Sequence, residues 1–341
     1  MRNRRQETGN SKLKDPQTGQ QETGEWATGH EKPILLPVPR SPVASSPVSG
    51  SFTCLLPVAC RLSPVPRSPV ASSPVSSERL NRPTHPSRHG SALLGSPPPM
   101  RGFIDLHCHW VAGIDDGART PRDSLDLLLG LREIGFDRCV ATPHMRPGMF
   151  DNDRTSLSRA YEETTTALAS AGGLPELGLS SEHFFDDVVF GRFMEGEVLP
   201  YPGGHAALIE FGNHAFPARV THRFFDLRRR RIRPVLAHPE RYEPVWRDRD
   251  ALVPLLDGGA LMLLDVAALS GKYGRTPRRV AEELLEEGYY YAACSDAHSV
   301  KDVAEVKKGI ERLFDQLGRE DASFMLVDGP RSILEGNVDA P

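Results

Sequence analysis

From Phe103 onward the chain alternates short apolar runs with amphipathic stretches, the pattern of repeated βα units around a parallel sheet. Seven runs read as strands: Phe103–Leu106, Arg138–Ala141, Leu177–Ser181, Ala207–Phe211, Pro234–Ala237, Leu261–Val266 and Tyr291–Cys294. The first helix announces itself by Thr120 as N-cap, Pro121 at the first helical position and Asp123 in the first turn. Leu125, Leu128 and Leu129 are expected to form its buried face. Further helices are expected near Asp153–Ala171, Pro217–Arg231, Asp248–Leu256, Pro277–Glu287 and Val300–Leu317. Seven or eight such units fit a closed α/β barrel. An open doubly wound sheet is the alternative, but no Gly-rich phosphate loop follows the first strand.

The pattern stops upstream of Met100. Residues 1–99 hold 16 of the 30 prolines and carry 12 Lys/Arg against 6 Asp/Glu. A basic, Pro/Ser-rich segment with few aromatics cannot bury enough surface to offset chain entropy, so a disordered arm is expected there. The thirteen residues PVPRSPVASSPVS occur twice in it, at Pro37–Ser49 and Pro64–Ser76. One low-complexity repeat is too little for a solenoid and suits a linker or a polyproline docking segment. Met100 could alternatively be the start of the mature protein. Residues 100–341 would then be the whole catalytic domain. That part is acidic, with 29 Lys/Arg against 39 Asp/Glu, which argues against nucleic acid as a partner.

Five cysteines are scattered without CxxC spacing, so neither a disulfide framework nor a zinc knuckle is indicated. Reduced Cys108, Cys139 and Cys294 in or beside strands fit a cytoplasmic enzyme. No apolar run approaches the roughly 18 residues of a membrane span, and no signal-peptide core is present, so no membrane insertion is expected.

In barrel enzymes the chemistry sits just past the C-terminal ends of the strands. Strand one runs into His107 and His109 of DLHCH, followed by Asp116 of DDG. Strand two leads to His144 of ATPH, strand three to Glu182, strand four to Glu210 of LIEF, and strand five to His238 of AHPER. The last strand ends in Asp296 and His298 of SDAH. His107 and His109 lie two apart on extended chain, so both rings face one side. Asp296 and His298 are expected to repeat the device from the opposite wall. A single histidine on a strand is usually a packing or surface residue, but nine metal-capable side chains at successive strand ends form a joint pattern. His183, His205, His214 and His222 lack that placement. Imidazole with carboxylate suits zinc, manganese or iron rather than calcium. Nine donors exceed one ion's needs, so a cluster of two or three metals with a bridging carboxylate is expected, the arrangement used in metal-assisted phosphoester hydrolysis.

DLHCH, DDG, ATPH, the strand-end glutamates, AHPER and SDAH together resemble the polymerase and histidinol phosphatase (PHP) superfamily. Within it they look most like the bacterial manganese-dependent tyrosine-protein phosphatases of capsule and exopolysaccharide gene clusters. The likeness runs from about Gly102 to Asn337, including LVDGPRSILEGN, and leaves out residues 1–99. It implies a distorted, TIM-like (β/α)7 barrel. It further implies that His107, His109, Glu182 and Asp296 hold one metal, Glu182 bridges to a second held by Glu210 and His238, and Asp116, His144 and His298 hold a third. Manganese is the expected ion, with iron or zinc as options, and Arg241 would clamp the substrate phosphate.

Two departures touch the substrate side. The resemblance leads one to expect a second phosphate arginine after SDxH, but here SVKDVAEV follows, leaving Arg146 or Lys301 as substitutes. Asp265 stands where an amide is common.

The resemblance implies a metal-activated hydroxide attacking phosphotyrosine, on the tail of a bacterial tyrosine kinase controlling polysaccharide export. No Cys-x5-Arg signature supports a cysteine phosphoenzyme. The alternatives are a small-molecule phosphatase acting on histidinol phosphate and a non-catalytic metal-binding scaffold. Short loops favour a protein substrate over an enclosed metabolite.

Overall fold

A computed structural model describes residues 100–338; the expected N-terminal arm lies outside them. The elements follow in the order β1 (Phe103–Cys108), α1 (Pro121–Glu133), β2 (Phe136–Ala141), β3 (His144–Met145), α2 (Arg154–Leu168), β4 (Glu176–Leu179), β5 (Glu182–Phe184), α3 (Asp187–Glu195) and β6 (Ala206–Glu210). Then come α4 (Val220–Arg229), β7 (Arg233–Ala237), α5 (Glu243–Arg247), α6 (Val253–Asp257), β8 (Leu261–Asp265), α7 (Val266–Ser270), α8 (Arg275–Glu286), β9 (Tyr290–Cys294), α9 (Val303–Ser323) and α10 (Gly329–Glu335).

All strand pairs are parallel, in a three-stranded sheet ordered β1-β2-β4 and a six-stranded sheet ordered β3-β5-β6-β7-β8-β9. The α/β class and the parallel sheet agree with the sequence pattern. Two expected strands, Arg138–Ala141 and Leu177–Ser181, are each followed after a short gap by a further strand that was not expected, β3 and β5. Thr142-Pro143 separates β2 from β3, where proline cannot donate to the ladder, and Ser180-Ser181, expected as the end of the third strand, separates β4 from β5. Side chains take over at both breaks: Cys108 N–H donates to Thr142 Oγ1 at 3.1 Å, and Ser181 Oγ donates to Pro143 O at 2.8 Å.

The first and last strands are neighbours at their C-terminal ends. Asp296 N–H donates to His107 O and His109 N–H to Ala297 O, both at 2.9 Å. Asp296 and His298 therefore stand beside the His107–His109 pair, not across from it as expected, because the chain's end returns to its beginning.

Thr120 caps α1 as expected: its side chain accepts from Asp123 N–H while Asp123 reaches back to the Thr120 N–H. The buried face, made of Ser124, Leu127, Leu128 and Leu131, shares Leu128 with the expected one; Leu125 packs partly against the core, whereas Leu129 is 38% exposed. A helix turn of 100° per residue puts Leu127 and Leu131 on the Leu128 side and carries Leu129 off it. The amphipathic stretch Val300–Leu317 forms a 3-10 turn and then α9, which is interrupted at Gly318. Gly309 of α9 comes so near Val266 that a Cβ there would lie 2.0 Å from Val266 O, so only glycine permits α9 to pack on α7. The strands are almost wholly buried between these helices, and Cys108, Cys139 and Cys294 are buried free thiols. Among the described residues no helix is long and apolar enough to cross a membrane.

Candidate metal centre

All nine side chains singled out at strand ends meet at one end of the sheets. Their ligand atoms fall into four overlapping groups, each within 4.8 Å: His109, Asp116, His144 and His298; His107, His109 and Glu182; His107, His238 and Asp296; His144, Glu182 and Glu210. Glu182 is central. One oxygen lies 3.2 Å from His107 Nε2 and 3.0 Å from His144 Nδ1, and the other lies 3.1 Å from His238 Nε2. His107 and His109 point their Nε2 atoms at each other across 3.1 Å, so the expected two-toothed imidazole pair is formed. Asp296 Oδ1 lies 3.1 Å from His107 Nε2, and Asp116 Oδ1 lies 3.5 Å from both His144 Nε2 and His298 Nε2. His238 lies with His107 and Asp296 as well as against Glu182, so it is less tied to Glu210 than the resemblance implied.

Local backbone explains the convergence. His238 (φ 35°) and Asp296 (φ 44°) are two of only four described non-glycine residues with positive φ. Left-handed backbone is costly for such residues and turns their side chains out of the strand line into the cluster. In DDG each letter has its own task. Asp115 Oδ2 accepts from His109 Nδ1 at 2.8 Å and from His144 N–H at 3.1 Å, and its Oδ1 accepts from Gly117 N–H. Asp116 faces the histidines. Gly117 lets the loop pass His109, where a Cβ would sit 2.1 Å from His109 O.

Five imidazoles and four carboxylates crowd together here with very few donors of their own. Burial would lower the His107 pKa, but the charges of Glu182 and Asp296 outweigh it and raise it. Burial and the nearby Glu182 charge push Glu210 up to about 7. Burial, with Arg241 adding repulsion, pushes His238 down to about 4. His107 Nδ1, His238 Nδ1 and Glu210 Oε2 are buried and make no hydrogen bond. Close-facing nitrogens, a shared carboxylate and orphaned buried atoms fit divalent cations of the transition series.

Arg241, on the turn after β7, reaches the rim. Its Nη2 is 2.8 Å from Asp296 Oδ2, its Nη1 3.9 Å from Asp265 Oδ2, and its guanidinium covers the Tyr273 ring at 4.6 Å. Glu240, between His238 and Arg241, is fully buried and accepts from Tyr290 Oη at 2.9 Å and Asp265 N–H at 3.1 Å. Burial, then Asp265, raises its pKa to about 8.

The sequence reading missed the supporting groups. Asp105, the first letter of DLHCH, accepts from Ser295 Oγ at 2.5 Å and Ser295 N–H at 3.0 Å, tying the two ligand motifs together. Its period-two relation to His107 was the available signal. Nothing local marks Tyr273, which arrives from the loop between α7 and α8. His183 makes no approach to the cluster. It bonds Leu208 O and Leu199 N, as its placement on the other side of β5 from Glu182 requires.

The family described as "Capsular polysaccharide synthesis, CpsB/CapC" matches residues 103–335, which span every strand and all nine donors. The chain belongs to the CpsB/CapC family. Tyrosine-protein phosphatase YwqE of Bacillus subtilis is a relative at 27% identity over 199 residues, 58% of this chain and 78% of its own length. Tyrosine-protein phosphatase CpsB of Streptococcus pneumoniae is 22% identical over 238 residues, 68% of this chain and 98% of its own. A solved structure from the pair YwqE and CpsB, described as unique metal-dependent tyrosine phosphatases, superposes with a TM-score of 0.64 at 25% identity. It covers 68% of this chain and 94% of that one. The matched residues, which include the candidate metal centre, cover 78% of YwqE and 98% of CpsB.

Proposed function

We propose that this CpsB/CapC chain is a metal-dependent protein-tyrosine phosphatase. The convergence of nine imidazole and carboxylate donors at one sheet end, Glu182 at their centre, is the observation that carries the reading. His107, His109, Asp116, His144, Glu182, Glu210, His238, Asp296 and His298 would hold two or three divalent ions, manganese foremost, with Glu182 as the bridging group. Such ions acidify a water and offset charge on a phosphoryl group.

The chain's own residues supply the rest. Exposure rises from zero at His107 to 28% at the His298 side chain and 54% at that of Asp116, so a substrate approaches from the Asp116–His298 side. Arg241 is the phosphate clamp: buried on one face against Tyr273, it offers a planar fork of donors beside Asp296. Asp115 keeps His109 in the tautomer with Nε2 bare, and Asp105 with Ser295 fixes the spacing of the two HxH-like motifs. The phenol of phosphotyrosine, with a pKa of about 10, leaves with modest assistance.

The two sheets are read as one distorted (β/α)7 barrel. In it β2 with β3 and β4 with β5 count as single broken strands, and the bonds from β9 to β1 close the ring. Residues 100–341 are read as the catalytic unit. The proposed substrate is a phosphotyrosine segment of a bacterial tyrosine kinase in the cytoplasm.

The test is phosphate release from phosphotyrosine peptide, phosphoserine peptide and histidinol phosphate, each with manganese and with chelator. Chelator-sensitive release strongest on phosphotyrosine is expected. Preference for histidinol phosphate would overturn the substrate, and absence of release from all three would overturn the enzyme.

A further inference from the structure

We propose that Arg146 is a second phosphate-binding group of this site, gripping the substrate from beside Glu210 while Arg241 does so from beside Asp296. This deepens the phosphatase reading and rests on it for the identity of the ligand. Arg146 Nη1 stands 3.7 Å from Glu210 Oε2, close enough to feel its charge but beyond hydrogen-bond reach. Its Cζ lies 4.2 Å from the centre of the Phe184 ring, so the guanidinium is supported on one face, and its side chain is 28% exposed.

The backbone that carries it is fixed. Arg146 and Phe150 exchange hydrogen bonds in both directions, at 3.1 and 2.8 Å, around a turn where Gly148 takes φ 81°. The Phe150 ring in turn stacks on the ring of His144 at 5.1 Å and 3°. Arg146 is therefore held at a set position relative to a donor of the metal centre, two residues away along the same segment.

The other cations nearby are differently placed. Arg241 stands beside Asp296 and over the Tyr273 ring. Lys272 is paired with Asp302 at 2.8 Å. Lys301, the other substitute considered from sequence, is exposed on the 3-10 turn after SDAH. A phosphate monoester presents several equivalent oxygens, and two guanidinium forks, one beside Glu210 and one beside Asp296, can each take a pair of them. A loose ion pair with Glu210 leaves the Arg146 donors available for that purpose.

The test uses the full chain loaded with manganese. Binding of inorganic phosphate is measured by titration calorimetry, bound manganese by elemental analysis, and KM and kcat on a phosphotyrosine peptide. Arg146→Gln is expected to weaken phosphate binding by about tenfold or more and to raise KM more than it lowers kcat, with bound manganese unchanged. Arg146→Lys, which keeps the charge and loses the fork, should recover part of the binding, and Lys301→Ala should change nothing. Unaltered phosphate affinity in Arg146→Gln would overturn the assignment. So would loss of manganese in proportion to the loss of phosphate, which would show that Arg146 serves only to balance Glu210. Wild-type protein that binds phosphate yet cleaves no phosphotyrosine would sink the phosphatase reading alone, because the phosphate titration still decides the role of Arg146.

Discussion

Asp115 Oδ2 sits 2.8 Å from Nδ1 of His109, and that bond leaves Nε2 of His109 bare and facing Glu182 and Asp296. Two adjacent aspartates thus divide the labour, Asp115 orienting the His109 ring and Asp116 facing His144 and His298. Asp115→Asn should lower manganese affinity by about 10- to 100-fold while leaving the fold intact. A manganese titration alongside circular dichroism checks this; wild-type affinity would remove Asp115 from the account.

Gly117→Ala should be more damaging than its size suggests. The added Cβ would meet His109 O at 2.1 Å and His109 Cβ at 2.5 Å, both rigidly placed. Displacing His109 by even a fraction of that overlap separates it from its partners. Metal binding is expected to drop sharply, with a smaller loss of thermal stability, as read from elemental analysis and Tm.

His183 separates structural from chemical histidines. Its Nδ1–H donates to Leu208 O at 2.8 Å and its Nε2 accepts from Leu199 N–H at 3.3 Å, so only the neutral ring suits the site. Burial lowers its pKa to about 4, against about 6.5 in the unfolded chain. Its neutral form therefore favours folding fully above pH 6.5, and that contribution, up to roughly 3 kcal/mol, is lost as pH falls towards 4. His183→Leu, unable to titrate, should be less stable at pH 7 by about 1–3 kcal/mol because two backbone groups lose partners. Its stability should also fall less steeply than wild type between pH 6.5 and 4. Urea unfolding of metal-free protein across that range gives both numbers.

Ser295→Ala tests the tie between the first and last strands. It removes the donor to Asp105 Oδ2 and the acceptor for Ala297 N–H, both buried. A cost of about 1–3 kcal/mol is expected, with weaker metal binding because Asp296 and His298 follow directly. Stability at the wild-type level would show that backbone bonds alone hold the junction.

The convergence of these nine side chains was legible in the sequence because strand geometry is periodic and all nine follow strand ends. His107, Glu182, Glu210 and Asp296 could each be placed by that rule alone. Other features depend on contacts that no local pattern encodes. Asp115 and Asp116 are identical in type, and only the loop's path over Gly117 decides which one faces inward. Tyr273 reaches Arg241 from a loop between helices. The helix Asp187–Glu195 was passed over although Asp186, which accepts from Val189 N–H at 2.7 Å, was a readable N-cap. The adjacency of β1 and β9 at their C-terminal ends depends on backbone bonds between distant parts of the chain, so it could not be read from either strand by itself.

The most direct test counts ions and turnover in one sample. Full-length protein is loaded with manganese, freed of excess metal, and assayed for bound manganese and for phosphate release from a phosphotyrosine peptide before and after chelation. The account predicts about two or three ions per chain and release that disappears with the metal and returns when manganese is restored. Protein that retains no metal, or that cleaves phosphotyrosine equally well after chelation, would contradict it.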